Sequence, residues 1–184
     1  MTDTPMPTDA VTPIMASRTG YLQFIDRPRI AKRLISDQTR AYLYVRPGDY
    51  VIEGNTIGHD IGPDARDATA IAHRLTIGTI RTFEQDASYG MLVLSEIASR
   101  ALSPEINDPG TAVDVICRQE KLLLDWARTE PKKNAPLFPR IFLHDASRRT
   151  MIENAFAGIA RDGAGQTEVA LRLRAAAGGI SASP

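Results

Sequence analysis

Cysteine, aromatic side chains, long apolar runs and net charge are all in short supply in this 184-residue chain. The single Cys117 excludes an intrachain disulfide framework and a four-cysteine zinc site. Lys plus Arg and Asp plus Glu number 22 each, so no overall field draws the chain onto nucleic acid. Aromatics make up 6% of the residues and fall mostly at strand positions, which assigns them to a core rather than to base-stacking platforms. A membrane-spanning helix takes about 20 consecutive apolar residues. The best run, Met91-Leu92-Val93-Leu94, stops at Ser95-Glu96. Residues 1–13 carry Asp3, Asp9 and three prolines, which reads as a disordered leader rather than a signal peptide or anchor. Against these absences stands a hydrophobic fraction of 43%, enough for a packed core in one domain or two small ones.

The charge that is present is unevenly placed. Residues 1–66 hold eight basic and eight acidic groups, residues 67–130 six and ten, and residues 131–184 eight and four. Balances of −4 and +4 in the last two segments fit packed neighbours, and with the amphipathic helices they motivate an expectation of homo-oligomerisation.

Period-two patterning and closely spaced turns dominate residues 14–66. Strands are expected at Ile14–Arg18, Tyr21–Ile25, Ala41–Val45, Tyr50–Ile52 and from Thr56 to Gly58, with Arg46-Pro47-Gly48-Asp49 as a type II turn. Asp26 caps a short helix with Pro28 in its first turn. From Asp67 the period becomes 3.6. Asp86 is the expected N-cap of a helix through Arg100, and Asp108-Pro109 opens another through Arg128, with Leu122 and Trp126 on its apolar stripe. Ile141–Leu143 reads as a strand, Asp145 or Ser147 as the cap of a helix to Arg161, and Gln166 to Ala176 as a last helix. Residues 179–184 read as a frayed tail.

Two polar clusters are the candidate site. One is Arg81-Thr82-Phe83-Glu84-Gln85-Asp86; the other is the interhelical elbow from Arg100 to Ala112, carrying Arg100, Ser103, Asn107, Asp108 and Thr111. Free N–H groups at a helix start make an anion site physically cheap, with arginines to complete it. The structural reading makes Asp86 and Asp108 caps, with the arginines paired to them.

These same stretches carry a family resemblance. Ser17 to Asp26, Arg46 to Val51, Ile77-Gly78 with Arg81-Thr82 and Gln85-Asp86, and Glu96 through Ser103-Pro104 and Ile106–Pro109 to Ala112 resemble, in order, a bacterial family of predicted membrane proteins, domain of unknown function 2254. Glu105 and Gly110 depart from the family's usual glycine and bulky aromatic. The resemblance implies preceding transmembrane helices, a membrane as neighbour, and a detached soluble half in this chain, cytoplasmic or at the inner-membrane surface. The family brings no established activity. A weaker resemblance links Val45–Ile57 to the hairpins of biotinyl/lipoyl-type and membrane-adaptor hybrid barrels. With no lysine between Lys32 and Lys121, a carrier role is disfavoured.

Enzyme readings find less support. His59, Asp60, Asp64, Asp67 and His73 form a metal-like run, but the spacing matches no motif and the run reads as a solvated loop. Ser103 or Ser147 near His144 and Asp145 lacks a nucleophile elbow, and Cys117 reads as a buried small hydrophobe. The expectation is therefore an α+β protein: a small barrel-like β module, then a mainly helical region over 67–178. Its expected role is non-enzymatic, in assembly, partner contact or ligand sensing, with no metal, cofactor or nucleic acid. The alternative is a small-anion binder or enzyme using Arg81, Asp86, Arg100, Asn107 and Asp108.

Overall fold

The computed structural model describes residues 11–34, 38–62, 68–128, 137–144 and 147–181. The protein is α+β, and its chain divides into two compact units: Met1–Asp86 with Ala135–Asp145, and Ala87–Asn134 with Ala146–Pro184.

The first unit holds seven strands and two short helices among its described residues. One sheet orders β1 (Val11–Met15), β5 (Thr56–Ile61), β3 (Arg40–Leu43) and β7 (Ile141–Leu143); the other orders β4 (Tyr50–Val51), β2 (Gly20–Ile25) and β6 (Leu75–Gly78). All pairings are antiparallel except β3 with β7. Short strands bury little each, so the sheets hold by sharing one core. Ile14, Leu22, Leu43, Val51, Ile57 and Ile77 point into it together with Ile30 of α1 (Arg27–Arg33) and Ile71 of α2 (Ala68–Ala72). At about 1.5–3 kcal/mol for each large aliphatic side chain taken from water, this shared burial dominates the unit's stability.

Local chemistry set several elements as expected. Asp26 Oδ1 accepts from the Arg29 N–H at 3.1 Å, capping α1. Asp49 N–H reaches Arg46 O at 3.1 Å across a turn whose Gly48 has φ 97°, the type II geometry. Other expectations are corrected. Strand β1 starts at Val11, so residues 11–13 are paired and not leader, while residues 1–10 lie outside the described residues. The two sheets do not close into a barrel. His59 and Asp60 lie inside β5 rather than in a solvated loop, with Asp60 fully buried. Where patterning put a boundary at 66/67, the units part after Asp86, because β6 pairs with β2.

The second unit is made of α3 (Ala87–Ala101), α4 (Pro109–Arg128), α5 (Arg148–Asp162) and α6 (Thr167–Ser181). Helix α3 packs on α4 and α5, and α4 on α6. Ala98, Leu102, Ala112, Ile116, Ile159 and Val169 form one cluster; Met91, Leu123, Met151 and Ala155 form another. Ser147 caps α5, its Oγ accepting from the Thr150 N–H at 3.0 Å. Helix α6 runs on to Ser181, past the expected end at Ala176, because Ala176 is buried and Ile180 packs against the Met91 cluster; residues 182–184 lie outside the described residues. Leu122 and Trp126 are 47% and 41% exposed, and Cys117 is exposed, so the buried stripe of α4 is narrower than its periodicity suggests.

Candidate functional site

Arg81, Thr82 and Asp86 belong to the first unit and follow β6. Arg81 folds back so that Nε and Nη2 donate to Asp86 Oδ2 at 3.0 and 2.6 Å. The Asp86 side chain is 3% exposed and that of Arg81 22%, so the pair is largely withdrawn from water. It lies against the Arg46–Asp49 turn: a Cβ on Gly48 would run into the Asp86 carboxylate and the Arg81 guanidinium. The turn is tied to β2 by bonds from Gly48 N–H to Leu22 O and from Leu22 N–H to Asp49 O, at 2.7 and 2.9 Å.

The neighbouring glutamines finish this seam. Gln85 Oε1 accepts from Ile25 N–H at 3.0 Å and its Nε2 donates to Ile25 O at 3.3 Å, so one side-chain amide serves as the strand partner at the end of β2. Gln23 Nε2 donates to Ile80 O at 2.7 Å. Thr82 Oγ1 is buried with no hydrogen-bond partner among the described residues. Gln23 was not among the sequence candidates, and Gln85 stood in the first polar cluster without a role of its own.

Arg100, Ser103, Asn107, Asp108 and Thr111 belong to the second unit. After α3 ends, Asn107 and Asp108 N–H bond to Ser103 O and Ala101 O, each at 2.8 Å, and Asn107 takes φ 47°. That left-handed conformation suits Asn better than most residues. Asp108 then receives the Thr111 N–H on Oδ1 at 3.1 Å and the Thr111 hydroxyl on Oδ2 at 2.5 Å. These bonds, the hydroxyl's first, hold the Asp108 carboxyl below the ordinary carboxylate range. Arg100, expected to pair with a cap, is exposed and takes part in no ion pair among the described residues. Asn107 Oδ1 instead accepts from Gln166 Nε2 at 3.2 Å, and Leu102 reaches Gly163, so the elbow is fastened to the turn between α5 and α6. Only three-dimensional packing brings Gln166 here, and no local signal marked it.

The other candidates disperse. His59 Nδ1 lies 2.7 Å from the Tyr44 hydroxyl, and His73 is exposed beyond α2. Asp64, Asp67 and Asp145 lie outside the described residues. Ser147 Oγ is engaged as a cap, and His144 is exposed. Among the described residues there is no group of three or more His, Cys, Asp or Glu placed to hold a metal ion. Cys117 Sγ accepts from Arg172 Nε at 3.0 Å, and Arg172 Nη2 pairs with Glu120.

Residues 1–178 match the family described as Predicted membrane protein (DUF2254). The chain belongs to this family. Three of the stretches that carry the resemblance, around β2, the Arg46–Asp49 turn and Ile77–Asp86, converge on the seam just described. Uncharacterized proteins of Mycobacterium bovis and of two Mycobacterium tuberculosis strains are 37% identical over 117 residues, which is 60% of this chain. The match spans 22% of the length of each of those relatives. No solved structure matches. Among the described residues, no helix is long and apolar enough to cross a membrane.

Proposed function

We propose that this chain is a non-enzymatic domain of its membrane-protein family, built for assembly, partner contact or ligand sensing, and that Arg81, Asp86, Asn107, Asp108 and Thr111 among the candidate polar residues serve mainly to hold its turns in place. One observation carries the reading: Asp86 Oδ2 takes two bonds from Arg81 inside a nearly closed seam. A catalytic or anion-binding arginine would keep its donors turned outward. The caps at Asp108 and Ser147 support the same reading, because each uses its carboxylate or hydroxyl on its own helix start. Self-association belongs to this proposal, motivated by the opposed charge segments of the sequence.

Thermal shift of the full chain against a panel of inorganic anions and small metabolites tests it. The expected result is that no stabilisation depends on the elbow, any saturable shift persisting in Arg100→Ala, with unliganded Arg100→Ala melting as the wild type. Stabilisation abolished by Arg100→Ala, with unliganded stability intact, would give the elbow to a ligand and overturn the structural reading. Sedimentation equilibrium tests self-association; a monomer at high concentration rejects that part.

A further inference from the structure

The geometry points to a second working surface: the end of the helical unit where α4 finishes and α5 begins docks on an anionic bilayer surface. It goes beyond the proposed function and uses a different face, so the two can fail separately.

The face is apolar with a cationic rim. Leu122 and Trp126 lie one turn apart on the outside of α4, about half exposed. Beside them runs a groove lined by Leu124, Trp126, Ala127, Ile152 and Ile180, with Arg148 as the charged residue in its wall. An exposed indole next to aliphatic side chains is poorly suited to bulk water and well suited to the boundary between headgroups and acyl chains. Around this patch Lys121, Arg128, Arg148 and Arg149 stand against Asp125 and Glu153, an excess of two positive charges. Lys121 bonds Asp125 at 2.5 Å and Arg149 bonds Glu153 at 2.7 Å. Arg128 and Arg148 are exposed and form no salt bridge among the described residues, although the Asp125 carboxyl, held low first by Lys121, also feels the Arg128 charge.

Charge selects the occupant. A second copy meeting this face across a two-fold axis would bring its own positive rim against the first. Anionic headgroups complement it, and arginines can keep their heads at phosphate depth while their stems cover apolar surface. The family description supplies a membrane as a neighbour.

Trp126 is the only tryptophan in the chain, so its emission reads this patch alone. The full chain is titrated with phosphatidylcholine vesicles with and without phosphatidylglycerol, following emission and co-sedimentation. The expected result is a blue shift and pelleting with the anionic vesicles only, weakened by salt. Arg128→Gln and Arg148→Gln should each lower the partition coefficient about fivefold, and the double variant roughly thirtyfold. Leu122→Glu should abolish binding while its circular dichroism melt stays that of the wild type. No shift with anionic vesicles, an equal shift with neutral ones, or wild-type binding by Leu122→Glu overturns the proposal. So does an emission shift in vesicle-free buffer that follows protein concentration with a doubling of mass, which would assign the face to a second copy.

Discussion

The Asp86 carboxylate fills the space into which a Cβ on residue 48 would project. Gly48 is thus constrained twice, by its φ of 97° and by the ion pair lying on it. Gly54 offers the control, since its φ is 78° but nothing surrounds its missing Cβ. Gly54→Ala should cost only the left-handed backbone penalty, about 1–2 kcal/mol. Gly48→Ala adds the collision and should cost about 3 kcal/mol or more. Urea unfolding of the two variants compares them directly; equal losses would mean the pair gives way freely.

The pair itself predicts a non-additive cycle. Asp86→Ala leaves the Arg81 guanidinium without its carboxylate in a largely buried seam and should cost about 3–5 kcal/mol. Replacing both partners, as Arg81→Met with Asp86→Leu, removes the stranded charge along with the bond. The double variant should be closer to wild type than the sum of the singles, by at least about 1 kcal/mol. Chemical denaturation of the four proteins measures it, and strict additivity would show that the two side chains act independently.

Local signals were legible and long-range ones were not. The caps at Asp26 and Ser147 and the Pro47-Gly48 turn depend on neighbours within three residues, so the sequence displays them. Ile141–Leu143 was recognisable as a strand, but its parallel pairing with β3 joins segments far apart in the chain. The switch to helical period near Asp67 hid the membership of β6 in the first unit, which long-range pairing with β2 decides. Gly62-Pro63 resembled loop punctuation just after His59-Asp60, yet β5 continues from Thr56 to Ile61 and pairs on both sides. Helical periodicity located the inner face of α4 without showing how far its partners wrap around it, so Leu122, Trp126 and Cys117 were placed too deep. Within the candidate site, Arg81 with Asp86 was a local inference; Gln85 on Ile25 and Gln166 on Asn107 needed the tertiary fold.

Asp108 gives a pH prediction with a definite sign. Its carboxyl is held below the ordinary range first by the Thr111 hydroxyl and then by the Thr111 N–H. A group depressed in the folded state contributes stability above its unfolded value, and that contribution fades as pH falls toward the folded value. Thr111→Val removes the larger cause and keeps the backbone donor. Carboxyl NMR should show the Asp108 titration moving up toward the ordinary carboxylate range of about 3.9. The melting difference between wild type and Thr111→Val should also narrow as pH drops from neutral through that range. A titration unmoved by the substitution would show that the hydroxyl is not the bond that matters.

Gly158 on α5 lies against α3, where an added Cβ would come 3.0 Å from Ser95 Oγ and 3.2 Å from Ser99 Oγ. Two opposing effects meet there. Replacing a mid-helix glycine by alanine gains about 0.8–1 kcal/mol of helix propensity. The crowding works against that gain, but the crowding atoms are hydroxyl oxygens on rotatable side chains rather than backbone. Gly158→Ala should therefore fall within about 0.5 kcal/mol of wild type. Gly158→Leu brings a whole isobutyl group into the same interface and should cost about 2–3 kcal/mol through overpacking. If Ser95 is what crowds the site, adding Ser95→Ala to Gly158→Ala should turn the alanine variant into a stabilised one. Thermal melts of the single and double variants decide this: a Gly158→Ala variant that loses several degrees with no recovery in the double would mean that α3 cannot yield, and that the close approach is fixed by the backbone.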